Sequence, residues 1–340
     1  MARREKKKKS GIYVFTALLL TVAIAAFVYK IVIVSGDHKL YENDNRNKTS
    51  LSSSLKIATN SYNVNGSPVP QPDVETENSV STSMNKLISP NAILIRLKDH
   101  TVLMEKNVKE KIYPASLTKI MTTIVAIEEL PNLKGEVSLT NSTFQGLYEV
   151  GASMAGFQPG EQVRAIDLLY GVILPSGAEC CVGLADKIAG SEQNFVKIMN
   201  QKAADLGMEN THFENATGLQ NESHYTTVED LAILLSYALK NDTFRQIFTS
   251  SRHSTPPTNM HSDGITFNST LYEKLNKNIT GGKILGGKTG YTSAAGLCLA
   301  SLAKVGNQEY ILVTAGAKGD TNSEQFNISD AIAVYSSISK

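Results

Sequence analysis

The sequence predicts an α+β domain: a mainly antiparallel sheet drawn from both ends of the folded part, flanked by helices, with a helical middle subdomain. Three patterns predict it. Apolar runs at 92–97 and 101–104 read as a hairpin around the turn Lys98-Asp99-His100. A series of stretches with helical apolar spacing then fills 116–239. Two more strand-like runs, 296–303 and 310–315, lie at hairpin spacing close to the end. Because consecutive strands at that spacing pair head to tail, the sheet is expected to be antiparallel.

In order along the chain, the first helix is expected at 116–130, where Pro131 ends it. Others are expected at 165–174, 180–189, 192–206 and 228–239, and a last one at 323–336 after the final strand. Ahead of all these, residues 1–10 carry a local charge of +5, so the remaining 330 residues carry −4 against a formal total of +1. The basic charge is a terminal tag rather than a property of the body, which argues against a nucleic-acid binder driven by bulk charge. Residues 11–34 are almost wholly apolar and, as a helix, long enough to cross a hydrocarbon core of roughly 30 Å. The basic cluster before them predicts a cytoplasmic N-terminus and an uncleaved signal anchor, with the rest of the chain outside the membrane. A cleaved signal peptide at Ala23-Ile24-Ala25 is the competing reading; Phe27-Val28-Tyr29 and the apolar 31–34 that follow make a poor mature end. Residues 35–85 hold 18 Ser and Asn among 51, with Pro68, Pro70 and Pro72 close together, and read as a flexible linker. The domain boundaries expected are therefore 1–10 cytoplasmic, 11–34 anchor, 35–85 linker and 86–340 folded domain.

Apolar residues make up 41% and charged residues 19% of the 340, enough for a sizeable core and inconsistent with disorder throughout. Three cysteines exclude a multi-bridge scaffold and a four-cysteine zinc site. Adjacent Cα atoms lie about 3.8 Å apart, short of the roughly 4.4–6.8 Å of an ordinary disulfide, so Cys180 and Cys181 read as small buried hydrophobes. Cys298, in an apolar run, reads the same way. Six scattered histidines show no metal-ligand spacing, so no metal or other cofactor is expected.

Three constellations could carry chemistry. The first is Pro114-Ala115-Ser116-Leu117-Thr118-Lys119. A serine hydroxyl is a weak nucleophile until a base sits beside it, and residues three apart share a helix face. A lysine can be that base when burial and neighbouring cations lower its pKa. Ser-x-x-Lys also occurs at Ser53, Ser83, Ser301 and Ser337, but these fall in the linker, in a predicted strand and at the chain end. Only Ser116 opens a long helix with an apolar face. The second is Lys288-Thr289-Gly290, after Gly286-Gly287 and before Tyr291-Thr292. A strand with this set can bind a carboxylate, the glycine allowing close approach; a glycine-rich turn with a solvated lysine is the alternative. The third, Pro175-Ser176-Gly177-Ala178-Glu179, is by itself an ordinary interhelical turn. Ser-x-x-Lys, a Ser-x-Asn-type element and Lys-Thr-Gly form the active-site set of penicillin-binding proteins and class A β-lactamases, and the order and separation here match that set.

At this point the chain resembles the low-molecular-mass penicillin-binding proteins, specifically the serine-type D-alanyl-D-alanine carboxypeptidases of the peptidase S11 family. The likeness runs from about Ala92 to Ala315. It is carried by 114–122, by Pro159-Gly160-Glu161, by Asp167-Leu168-Leu169-Tyr170-Gly171, by His224-Tyr225-Thr226-Thr227 with Asp230-Leu231-Ala232, and by 287–292. The resemblance implies a β-lactamase/DD-peptidase-like fold and a bacterial cell-wall enzyme acting on the D-Ala-D-Ala end of peptidoglycan stem peptides, with β-lactam antibiotics as covalent inhibitors. It implies Ser116 as nucleophile, Lys119 as base and Ser176 as proton relay. It implies Lys288, Thr289, Gly290 and Tyr291 around the substrate, with the Ser116 and Tyr291 N–H groups as oxyanion hole. No nucleic acid, metal or cofactor enters.

The pattern departs from the family at one position. The second motif is usually Ser-x-Asn; here Ser176-Gly177-Ala178 puts a methyl group where an amide would bind substrate and orient Lys119. Glu179 could substitute in part, though a helix need not turn it toward the site. Many relatives also carry a β-rich domain and an amphipathic anchoring helix after the last helix, so the N-terminal segment is expected to do the anchoring here. Two rival readings remain: a catalytically impaired peptidoglycan-binding or regulatory homologue, and a serine β-lactamase, against which stands the lack of a Glu-x-x-Leu-Asn segment.

Overall fold

The structure, a computed structural model, describes residues 86–275 and 278–338. The basic segment, the apolar segment 11–34 and the linker 35–85 lie outside the described residues. Among those described, no helix is long and apolar enough to cross a membrane.

The first hairpin pairs β1 (Asn91–Arg96) with β2 (Thr101–Lys106). The last three strands are β7 (Gly282–Thr292), β8 (Gly296–Val305) and β9 (Gln308–Ala317). They close onto the hairpin as one five-stranded sheet, order β2-β1-β9-β8-β7, with every neighbouring pair antiparallel. The sheet from both chain ends expected of the sequence is thus present. Its central strands read as near-continuous apolar runs because both faces are covered. Ile93, Ile95, Ala300, Ile311 and Val313 point toward the helical middle, while Ala92, Leu94, Leu299 and Leu312 point the other way. That second face packs on the last helix, Phe326–Ile338, through Ile328, Ala331, Val334 and Tyr335. Asp330 of this helix also accepts from the Ile88 and Ser89 N–H groups, at 3.1 and 2.8 Å, fixing the approach to β1.

Between the two parts of the sheet the chain builds the helical middle. The first helix, α1 (Thr118–Glu129), is buried along nine consecutive residues, 118–126. A helix apolar or buried all round belongs in a core, and α1 is packed by α2 (Ala165–Ile173), α3 (Ala178–Ala189), α4 (Glu192–Asp205), α5 (Val228–Ala238) and α6 (Asp242–Phe248). Side-chain caps define three of these starts: Ser191, Thr227 and Asn241 accept from the backbone N–H groups of Asn194, Asp230 and Phe244. A short α7 (Thr270–Lys274) leads toward β7, and the last helix is α8. The 165–174, 192–206 and 228–239 expectations differ from the observed helices by a residue or so. The helix expected from 116 instead begins at Thr118, because Ala115 has φ +47° and residues Ala115–Leu117 form a 3-10 turn. The short pairs β3 (Glu136–Ser138) with β4 (Gln162–Arg164) and β5 (Arg252–Ser254) with β6 (Thr266–Asn268) are too brief to show periodicity in the sequence.

Two segments that carry the family resemblance act as clamps. Glu161, fully buried, accepts from Thr258 Oγ1, from the Gln158 N–H and, at 2.9 Å, from His261 Nδ1. Asp167 accepts from Arg164 and, at 2.7 Å, from His253 Nε2, whose ring stacks on Tyr170. Both carboxylates tie the 252–268 excursion to the 158–170 segment. All three cysteines are free and buried, as expected of small hydrophobes.

Leu312→Ala removes a fully buried side chain from the sheet face under α8. We expect it to lower unfolding free energy by about 2–5 kcal/mol, read from the urea midpoint at unchanged m-value.

Candidate active site

The 3-10 turn that precedes α1 is where the site begins. Its geometry is strained: Ala115 adopts a left-handed backbone that an alanine rarely occupies. Two contacts hold it there. Thr118 Oγ1 donates to the Ala115 carbonyl at 2.8 Å, and that carbonyl faces Gly218, where a Cβ would come within 1.9 Å of it. Position 218, at φ +80°, therefore admits only glycine. Behind Thr118 lies His224, buried in the core. Its Nδ1 accepts from the Glu214 N–H at 3.2 Å, which leaves Nε2 to donate to Thr118 Oγ1 at 2.8 Å. Burial depresses this imidazole to about 4, with the charges of His212 and Lys119 adding to the effect, so it stays neutral at ordinary pH.

This turn presents Ser116. One helical turn on, Lys119 Nζ donates to Ser116 Oγ at 3.3 Å, and from the turn before α3 the Ser176 hydroxyl donates to the same oxygen at 3.0 Å. Ser176 too has a left-handed backbone, φ +67°. Among the described residues, two of the four non-glycine residues with positive φ thus flank one hydroxyl; the other two, His100 and Asn107, lie in and just after the β1–β2 hairpin. Backbone strain of this kind costs about 1–3 kcal/mol per residue and persists where surrounding structure imposes it.

Lys119 is 3% exposed. Burial pulls its amine below the ordinary lysine range; Cys181, Glu179, Cys180 and Glu192 pull it partly back. Its other hydrogen bond goes to the Thr217 carbonyl at 2.5 Å. A buried amine with a lowered pKa, in hydrogen-bond reach of a hydroxyl, can accept that hydroxyl's proton.

The third constellation closes the site from the sheet. Strand β7 is the sheet edge beside the 3-10 turn, and a Cβ on Gly290 would lie 3.1 Å from the Ser116 nitrogen. The 288–290 segment is strand, not a glycine-rich turn, and glycine is what lets it approach. Lys288 is fully buried, donates to the Thr289 carbonyl at 2.8 Å, and is pushed well below the lysine range by burial and by the charge of Lys119. Thr289 Oγ1 shares a 2.7 Å hydrogen bond with Thr270 Oγ1 on α7. Tyr291 follows on the same strand, paired in register with Leu297. Ser116, Lys119 and Ser176 are thus joined by hydrogen bonds. Gly290 abuts the Ser116 backbone, and Lys288 acts on Lys119 through charge.

Ala178 is 1% exposed at the first turn of α3. Glu179 does not take over the missing amide's hydrogen bonds. Its Oε1 accepts from the Ala155 and Gly156 N–H groups at 2.7 and 2.9 Å, and its Oε2 has no hydrogen-bond partner among the described residues. Burial holds this carboxyl above its ordinary range. Sequence reasoning missed the 215–219 loop that meets Lys119 and Ala115. The signal available was Asn215-x-Thr217-Gly218, a turn signature with no chemistry attached.

A hydroxyl flanked by a buried amine and a second serine, beside a Lys-Thr-Gly edge strand, on a sheet covered by helices on both faces, defines the serine DD-peptidase class of the β-lactamase-like fold. The comparisons agree. The peptidase S11 pattern, described as D-alanyl-D-alanine carboxypeptidase, matches residues 77–319, and the chain belongs to that family. It is 36% identical over 227 residues to the D-alanyl-D-alanine carboxypeptidase DacF of Bacillus subtilis, covering 67% of this chain and 57% of that protein. It is 34% identical over 253 residues to DacC of Escherichia coli, covering 72% and 60%. The chain therefore matches less than two thirds of the length of these relatives. Among solved structures, the Streptomyces K15 DD-transpeptidase superposes with a TM-score of 0.67 at 27% identity, over 74% of this chain and 97% of that one. A D-alanyl-D-alanine carboxypeptidase of Mycobacterium tuberculosis gives 0.63 at 25% identity, over 73% and 89%.

His224 yields a test of the turn's anchoring. Between its folded value of about 4 and the ordinary 6.5, the unfolded chain binds a proton that the folded chain does not, so its contribution is present above 6.5 and lost as pH falls toward 4. At pH 4.5 the loss attributable to this residue reaches about 2–3 kcal/mol. Urea unfolding at pH 7 and pH 4.5 should show a smaller drop in His224→Gln than in the unaltered chain.

Proposed function

We propose that the chain is a membrane-anchored serine DD-carboxypeptidase that removes the terminal D-alanine from peptidoglycan stem peptides through an acyl-enzyme on Ser116. The observation that carries the reading is the hydrogen-bonded set Lys119 Nζ, Ser116 Oγ and Ser176 Oγ, with the lysine buried. In the reaction, Ser116 Oγ attacks the carbonyl between the two D-alanines as its proton passes to the neutral Lys119 amine. The Ser116 and Tyr291 N–H groups receive the developing oxyanion, each such donor contributing about 2.7–4 kcal/mol in comparable sites. Lys288 and Thr289 hold the substrate's terminal carboxylate. Ser176 relays the proton to the leaving amine, D-alanine departs, and water hydrolyses the Ser116 ester.

The acid limb of the pH–rate profile belongs, in this scheme, to Lys119, because only the unprotonated amine serves as base. Its burial moves that limb below where a solvated lysine would put it. The basic cluster and the apolar 11–34 support anchoring by one N-terminal span, and residues 35–85 would carry the domain outside the membrane. Penicillins mimic the substrate and would leave a long-lived ester on Ser116.

One observation favours a second reading. Position 178 carries a methyl group where the second motif usually has an amide, as a peptidoglycan-binding homologue with impaired chemistry would show. A D-Ala-D-Ala pentapeptide separates the two: free D-alanine is expected from the unaltered chain, with a fall of about a thousandfold or more in Ser116→Ala. Retained peptide binding with no D-alanine would establish the impaired homologue instead. Mass spectrometry after exposure to labelled penicillin should locate the adduct on Ser116, whereas fast turnover of the drug would point to a β-lactamase. Ala178→Asn should change kcat/KM for D-alanine release, either raising it or altering substrate preference.

A further inference from the structure

The loop that meets Lys119 is built around one side chain. Asn215 Oδ1 accepts from the Thr217 N–H at 3.2 Å, from Thr217 Oγ1 at 3.0 Å, and from the Gly218 and Leu219 N–H groups at 2.7 and 3.2 Å. Its Nδ2 donates to the Leu219 carbonyl at 3.0 Å. Five polar contacts from a single amide wrap 215–219 into a tight turn. That turn is also pinned from outside: the Ala216 N–H donates to Glu192 Oε1 at 2.8 Å, and Thr122 Oγ1 donates to the Ala216 carbonyl at 2.6 Å. The turn makes two contacts with the site. The Thr217 carbonyl accepts from Lys119 Nζ, and Gly218 lies against the Ala115 carbonyl. Fixing one turn therefore fixes both the amine and the bend that presents Ser116.

We propose that Asn215 is a positioning residue: by gathering 215–219 it sets the Thr217 carbonyl against Lys119 and supplies from the backbone the orientation that Ala178 cannot supply from a side chain. The inference rests on the reading of Lys119 as the base for Ser116. The Thr217 carbonyl also selects between the two forms of the amine. As an acceptor it favours the ammonium, opposing the effect of burial. The other titratable groups around Lys119 come from α3 (Glu179, Cys180, Cys181), α4 (Glu192), β7 (Lys288) and the buried His224, and replacing Asn215 removes none of them.

The test is acylation of the full chain by a fluorescent penicillin, followed from about pH 5 to 10, with melting temperature recorded for each variant. Asn215→Ala releases the turn. Its plateau rate is expected to fall about 10- to 100-fold as the amine loses its aim. With the acceptor loosened, the acid limb is expected to move about 0.5–1 unit to lower pH. Asn215→Asp keeps the four-donor acceptor and adds a negative charge behind Thr217, so its acid limb should move to higher pH. Opposite shifts in the two variants establish the role. A limb that stays with the unaltered chain, in whichever variant folds, overturns it, even if melting temperature drops, because a scaffold residue alters stability without touching the titration of Lys119. Failure of the unaltered chain to form any adduct overturns the reading beneath it as well.

Discussion

An amine held out of water one turn from a hydroxyl is the constraint on which the rest of this structure depends. Solvated, a lysine is protonated at neutral pH and useless as a base. Buried, it becomes available, but only if its donors still have partners, since an unpaired buried polar group is costly. Two acceptors, Ser116 Oγ and the Thr217 carbonyl, meet that need. Glu179 and Glu192 stand near enough to favour the charged form, but their hydrogen bonds go to backbone N–H groups, not to the amine. Lys119 is thus balanced between burial, which drives its proton off, and carboxylates, which keep it.

The same constraint accounts for the backbone around the site. A straight helix through 115–119 would bring Ser116 and Lys119 onto one face, yet the chain bends at Ala115 before α1 starts. The bend puts the Ser116 nitrogen beside Gly290, so the edge strand and the helix start meet at this serine. Holding the bend takes Thr118, the neutral His224 behind it and the absence of a side chain at Gly218. None of these three need touch a substrate. They are where the fold's stability is spent on the site's geometry.

Much of this was legible in the sequence. The sheet from both chain ends, the helical middle and the three constellations follow from apolar spacing and motif order, because long periodic elements leave a strong pattern. What escaped has a physical reason in each case. Left-handed φ at Ala115 and Ser176 contradicts the preferences of alanine and serine, so local propensity points away from it. The Thr217 carbonyl is a backbone group, which every residue has, so no residue type announces it. The clamps at Glu161 and Asp167 depend on His261 and His253, 100 and 86 positions away, a pairing that spacing along the chain does not encode. Glu179 was open to either reading, and the Ala155 and Gly156 N–H groups decide it.

Alanine at 178 then has a consequence that reaches beyond Lys119. A side-chain amide carries an acceptor and two donors, and it can turn between the lysine and a ligand. The Thr217 carbonyl is an acceptor alone, fixed by the turn that holds it. It can orient the amine, but it has nothing to donate to the carbonyl groups of a peptide lying across the site. In the proposed reaction, the polar hold on the substrate backbone therefore falls to the edge strand β7, whose Gly290 lies against Ser116, and to Lys288 and Thr289 at the carboxylate. A peptide held mainly along one edge is fixed in register by its terminus and is freer to tilt on the α3 side. In that reaction selectivity should then reside in the D-alanine that leaves rather than in the residues before it, because the proposed hold of Lys288 and the Thr289 hydroxyl acts on the terminal carboxylate alone.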